Sequence, residues 1–90
     1  MNDTSLLIGS LSNDLFRVAT LAQRGSIEAA ARFLIEAKRW SKQLENAELP
    51  GHIADIVRRI IEFEQDPISL YSAENMLMYG VLLQNYSLHM

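Results

Sequence analysis

The sequence predicts an all-α protein, a compact four-helix bundle that is mostly antiparallel and joined by short loops. Three observations predict it. Apolar residues recur with the period of a helix in successive segments, at about 4–24, 26–48, 52–65 and 67–88. Turn-forming residues separate those segments: Gly25-Ser26, Leu49-Pro50-Gly51 and Asp66-Pro67. No stretch alternates apolar and polar residues for long enough to make a strand. With 90 residues the chain has the length of one domain, residues 1–90, and enough apolar side chains for a modest core.

In the first segment Leu7, Ile8, Leu11, Leu15, Val18, Ala19 and Ala22 share one face, and Asn13, Arg17, Thr20 and Arg24 lie opposite. Asp3 or Thr4 can cap its start by accepting a bond from a free first-turn N–H. Phe16 falls to one side of the stripe, near Ser12, and marks a second, shallower contact. Gly25 is placed to stop this helix and Ser26 to cap the next.

The second segment is the clearest helix. Ala29, Ala30, Phe33, Leu34, Ala37, Trp40, Leu44 and Ala47 share a face. Glu28, Arg32, Glu36 and Arg39 share the other and stand at pairing distance along it. Such pairs contribute roughly 0.2–0.5 kcal/mol each and mark a solvated face. Ile35 projects from that charged side. In the third segment Ile53, Ile56, Val57, Ile60, Ile61 and Phe63 point one way, with Asp55, Arg58, Arg59 and Glu62 opposite and Arg58 spaced to pair with Glu62. Its β-branched residues are weak helix formers, so its stability has to come from packing.

The fourth segment differs in kind. Asp66 reads as its N-cap and Pro67 as its first helical residue. Beyond Pro67 only Glu74 carries a full charge. Leu70, Leu77, Val81 and Leu88 form one stripe, extended by Tyr71, Met78 and Leu82; Ile68, Met76, Tyr79, Leu83 and Tyr86 lie on another side. The first stripe is assigned to the core, so that the core is expected to contain Leu11, Leu15, Val18, Phe33, Leu34, Ala37, Trp40, Ile53, Ile56, Val57, Ile60, Leu77 and Val81. A helix apolar most of the way round is normally buried most of the way round. A chain this short has too few helices to surround one. The surplus stripe therefore belongs to a central helix, to a contact with a second copy, or to a different partner or ligand. Met and Tyr suit a contact surface. The candidate interface is Met76, Tyr79, Leu83 and Tyr86, facing a second subunit in a homodimer through helix 4.

Composition excludes several function classes. Without cysteine there is no disulfide, thiolate metal site or cysteine nucleophile, and the usage fits a reducing compartment. The net charge of −3 argues against nucleic-acid binding as the main activity. Lys38, Arg39 and Lys42 form the densest positive cluster, but Trp40 turns inward on a helix and cannot stack on a base beside them. The first residues lack a basic signal region, and no apolar run is long enough to span a membrane, so the cytoplasm is the expected location.

No catalytic constellation stands out. His52 lies at a helix start, His89 is penultimate, and neither has another histidine one turn away. The Glu-x-x-His pairs of di-iron bundles are absent, and the isolated glycines make no phosphate loop. No catalytic, cofactor or metal residues are assigned. The expected function is a small non-catalytic homo-oligomeric interaction or regulatory module. The alternatives are a helper subunit that docks on a different protein through helix 4 and, third, a weak nucleic-acid contact through Lys38, Arg39 and Lys42.

Overall fold

The computed structural model describes residues 3–64 and 68–90. Its four helices are α1 (Asp3–Gln23), α2 (Ile27–Leu44), α3 (Gly51–Glu62) and α4 (Leu70–Leu88). They form an all-α four-helix bundle with principal extents of 35 × 21 × 18 Å. Each helix packs on its sequence neighbour and α4 closes the ring on α1, while among the described residues the backbones of the diagonal pairs α1–α3 and α2–α4 do not approach closely.

Side-chain pairings show that α1 runs antiparallel to both α2 and α4. Between α1 and α2, Trp40 Nε1 donates to Asp14 Oδ2 at 2.9 Å, while the Arg17 guanidinium lies 5.2 Å from the centre of the Phe33 ring. Between α1 and α4, Ser12 Oγ donates to the Gly80 carbonyl at 2.8 Å and Ser87 Oγ to the Ser5 carbonyl at 3.4 Å. In each pair the later residue of one helix meets the earlier residue of the other.

The turns explain where the helices stop. Gly25 has φ 83°, the left-handed conformation that glycine tolerates best. Its N–H donates to the Ala22 carbonyl at 3.1 Å, and Ser26 N–H reaches back to the Leu21 carbonyl at 2.8 Å. This doubly bonded Schellman closure satisfies carbonyls that the end of α1 would otherwise leave free. Ser26 does precede α2, but its side chain makes no capping bond. Helix α2 ends at Leu44, short of the expected 48. There the chain tightens into short-range turns, with Ala47 N–H on the Leu44 carbonyl, and Leu49 must stay extended ahead of Pro50. The Pro50 carbonyl then accepts from Ile53 and Ala54 N–H to start α3.

Helix α3 ends at Glu62 rather than 65, because Phe63 turns extended and its carbonyl accepts a hydrogen bond from Lys38 Nζ on α2. Helix α4 begins at Leu70, three residues later than expected, capped by Ser69 Oγ, which accepts from Ser72 N–H at 3.1 Å. The expected cap Asp66 and first helical residue Pro67 lie outside the described residues.

The core agrees with the expected faces of the first three helices. Ile8, Leu11, Leu15, Val18, Ala30, Ala37, Ile53 and Ile60 are fully buried and belong to one cluster, with Leu34, Ile56 and Val57 almost as deep. Phe33 and Trp40 are half-buried at its edge. Helix α4 is turned the other way from expectation. Leu77 and Val81, assigned to the core, are 41% and 43% exposed. Ser72, Ala73, Met76, Gly80 and Leu83 point inward instead.

The reason is a seam of small residues. Ala73, Gly80 and Ser87 recur every seven residues on α4, and Ser5, Ser12 and Ala19 recur every seven on α1. The hydrogen bonds above pair Ser5 with Ser87 and Ser12 with Gly80, and the same register sets Ala19 level with Ala73. Small side chains let two helix backbones approach closely, whereas Leu77 and Val81 in their place would hold the helices apart.

One buried polar atom is left over. Ser41 on α2 is 0% exposed and its hydroxyl has no hydrogen-bond partner among the described residues. Hiding an unpaired hydroxyl costs about 1–3 kcal/mol. Ser41→Ala is expected to raise stability by about 1 kcal/mol in a denaturant titration. No change, or a loss, would show that the hydroxyl is satisfied in solution.

Candidate functional site

The turned α4 leaves an apolar face on the outside. Leu70 and Leu88 mark its ends, 66% and 72% exposed, with Leu77 and Val81 between them. Tyr71, Met78 and Leu82 widen it on one side. The polar members are Glu74, Gln84 and Asn85, all exposed. The patch is on the order of several hundred Å², comparable with the largest apolar patch on a typical folded monomer. Its position follows from the ring of helices. Helix α4 meets α1 along its length and the short α3 over part of it, and no helix covers the third side.

The expected interface residues lie elsewhere. Met76 is 1% exposed and Leu83 0%, so both are core residues of the single chain. Tyr79 and Tyr86 are half-buried against the same core. Tyr79 also lies beside Arg59 of α3, whose guanidinium is held above its ordinary pKa first by its hydrogen bond to Asp55 and then by the Tyr79 hydroxyl. On α4, Met76 and Leu83 of the expected interface are core, Tyr79 and Tyr86 are half-buried, and the expected core stripe is surface.

A polar cluster between α1 and α2 escaped the sequence reading. Asp14 is 3% exposed, and burial pushes its carboxyl pKa up to about 6. The Trp40 N–H bond pulls the other way, while the nearby Glu36 carboxyl adds to the rise. Glu36 thus faces Asp14 rather than only solvent. Among the described residues the ion pairs are Asp55–Arg58 and Asp55–Arg59, the latter at 2.7 Å, so the expected α2 pairs and the Arg58–Glu62 pair do not close. Asp55 is held below the usual carboxylate range, first by the Arg59 hydrogen bond. Asp14 was detectable in principle, because Leu11, Leu15 and Val18 flank it at helical spacing. A carboxylate on an apolar arc is the signal.

Of the basic cluster, Lys38 is half-buried and drawn to the Phe63 carbonyl, which leaves Arg39 and Lys42 exposed. Trp40 is turned to Asp14, as its helical position requires. His52 and His89 are exposed at the first turn of α3 and just past α4. Among the described residues no group of three or more His, Cys, Asp or Glu side chains could hold a metal ion.

The concavities are small or open. An apolar groove of about 230 Å³ runs between α2 and the end of α3, lined by Ile27, Leu34, Ile35, Phe63 and Ile68 among others. A depression of about 410 Å³ covers Gly25 to Arg32, a single stretch of chain that brings no two helices together.

Fold and surface together define a class, a small helical bundle with an uncovered apolar helix face. Comparison with family models, with curated proteins and with solved structures finds no match for this chain. Among the described residues no helix is long and apolar enough to cross a membrane.

Proposed function

We propose that this chain is a small non-catalytic interaction module that pairs with a second copy of itself through the outer face of α4. One observation carries the reading: Leu70, Leu77, Val81 and Leu88 line one exposed edge of a helix whose opposite edge already fills the core. Leaving that edge in water forgoes roughly 25 cal/mol for each Å² of apolar surface. Association recovers part of it. The face holds one acidic side chain and no basic one, so it carries no strong field to select a charged partner. That composition favours an apolar surface of the same kind, which a second copy supplies.

The 19 residues of α4 span about 28 Å. A single helix pair of that length falls at the small end of specific interfaces, the class of weak and transient contacts, and a dissociation constant of order micromolar is expected. Sedimentation equilibrium is expected to show a reversible dimer in that range. Val81→Lys should shift the chain to monomer, because it buries an unpaired ammonium in the contact. Its far-ultraviolet circular dichroism should not change, because Val81 faces outward in the single chain. A wild-type chain that stays monomeric at high micromolar concentration would overturn self-association and transfer the same face to a different protein.

A further inference from the structure

The outer stripe of α4 carries information about orientation as well as contact. Its six positions are Leu70, Glu74, Leu77, Val81, Gln84 and Leu88, spaced alternately four and three residues apart. That is the seam spacing of a two-helix coiled coil. Read from either end, the stripe has the same order: apolar, polar, apolar, apolar, polar, apolar. All six side chains are exposed on the single chain.

We infer that two copies pair with their α4 helices antiparallel, about a two-fold axis level with Tyr79. The inference rests on the self-association proposed above and adds the register. In this arrangement Leu70 meets Leu88 of the second copy, Leu77 meets Val81, and Glu74 meets Gln84. Every apolar position finds an apolar one. Each Glu74 carboxylate faces an amide that can donate to it, so the buried polar atoms are paired.

The parallel alternative puts Glu74 against Glu74 at a seam position. Two like charges then lie at close range in a drying interface, which is unfavourable for any pair and worse when desolvated. A single polar seam position commonly selects orientation in helix pairs. Here Glu74 and Gln84 together perform that selection. A two-fold pairing also makes the contact isologous and closed, so it stops at a dimer.

The experiment uses the full chain, which contains no cysteine of its own. Leu70→Cys and Leu88→Cys are prepared separately, one with a size tag, then mixed and treated with a short bifunctional maleimide. The expected product is the crossed dimer of the two variants, with neither variant crosslinking to itself. Positions 70 and 88 lie about 27 Å apart along one helix, so a parallel pair would give the reverse pattern. Self-crosslinking of either variant alone overturns the antiparallel register. A chain that dimerises by sedimentation but crosslinks in neither way overturns it too, by locating the contact on another face. A wild-type monomer instead overturns the underlying self-association. Charge reversal gives an independent sign. Gln84→Lys places an ammonium beside Glu74 of the other copy and should tighten the dimer about two- to tenfold, whereas Gln84→Glu should loosen it. Weakening by Gln84→Lys is the result that sinks the register.

Discussion

Gly80→Leu is expected to lower the melting temperature by about 12–24 °C, the largest stability effect of any single substitution proposed for this chain. The side chain would enter the α1–α4 seam where there is no room for it. A Cβ built on Gly80 already stands 3.1 and 3.2 Å from carbons of the Phe16 ring and 3.4 Å from the Ser12 carbonyl oxygen. A leucine adds three more carbons in that direction. Either Phe16 leaves its site or the helices separate and lose the Ser12–Gly80 bond. Overpacking of this kind typically costs 1–3 kcal/mol and occasionally more, and the position argues for about 3 kcal/mol. Gly80→Ala is the informative control. Its methyl needs only a few tenths of an ångström from a half-buried ring, and alanine gains about 1 kcal/mol of helix propensity over glycine. It should stay within about 1 kcal/mol of wild type. A Gly80→Leu chain that melts like wild type would show that the seam is looser than described.

Asp14→Asn is expected to stabilise the protein at pH 7 by about 2 kcal/mol and to flatten its stability profile between about pH 4 and 6. The sign follows from the direction of the shift. Burial raises the folded-state pKa of Asp14 from 3.8 to about 6. The folded chain therefore takes up this proton more readily than the unfolded chain. The stabilisation from the neutral acid is fully present below about pH 3.8 and is lost as pH rises through about 6. At neutral pH the protein holds a buried carboxylate at a cost. An asparagine keeps an oxygen to accept from Trp40 and gains an N–H that can donate toward Glu36. Chemical denaturation of both chains at several pH values measures the difference. Trp40 is the single tryptophan, so its fluorescence should titrate near pH 6 in the wild type and not in the variant. A variant less stable than wild type at pH 7 would mean that the Asp14 charge is compensated.

The outer face of α4 shows how far the sequence could be read. Its apolar surplus was legible, because a helix with Glu74 as its one full charge is unusual beside three amphipathic neighbours. Which stripe faced outward was not. Both stripes mix aliphatic residues with methionine and tyrosine, so hydrophobicity alone did not rank the two sides. The deciding signal came from residues with the least side chain. Ala73, Gly80 and Ser87 mark the side on which α1 can approach, and their match to Ser5, Ser12 and Ala19 is a property of two helices together. Asp14 was missed for a related reason: its environment depends on Trp40 and Glu36, which come from another helix.

The sequence by itself determined the number of helices, the turns at Gly25 and Pro50 and the buried faces of α1, α2 and α3. These are set within a few residues of chain, by backbone conformation and by the helical period. The tertiary structure alone decided the rotation of α4 and hence the location of the exposed face, the ending of α3 against Lys38, and the partners that Asp14 finds in Trp40 and Glu36. Each depends on how closely two backbones can approach or on which groups desolvate one another. Those quantities do not exist until the helices meet.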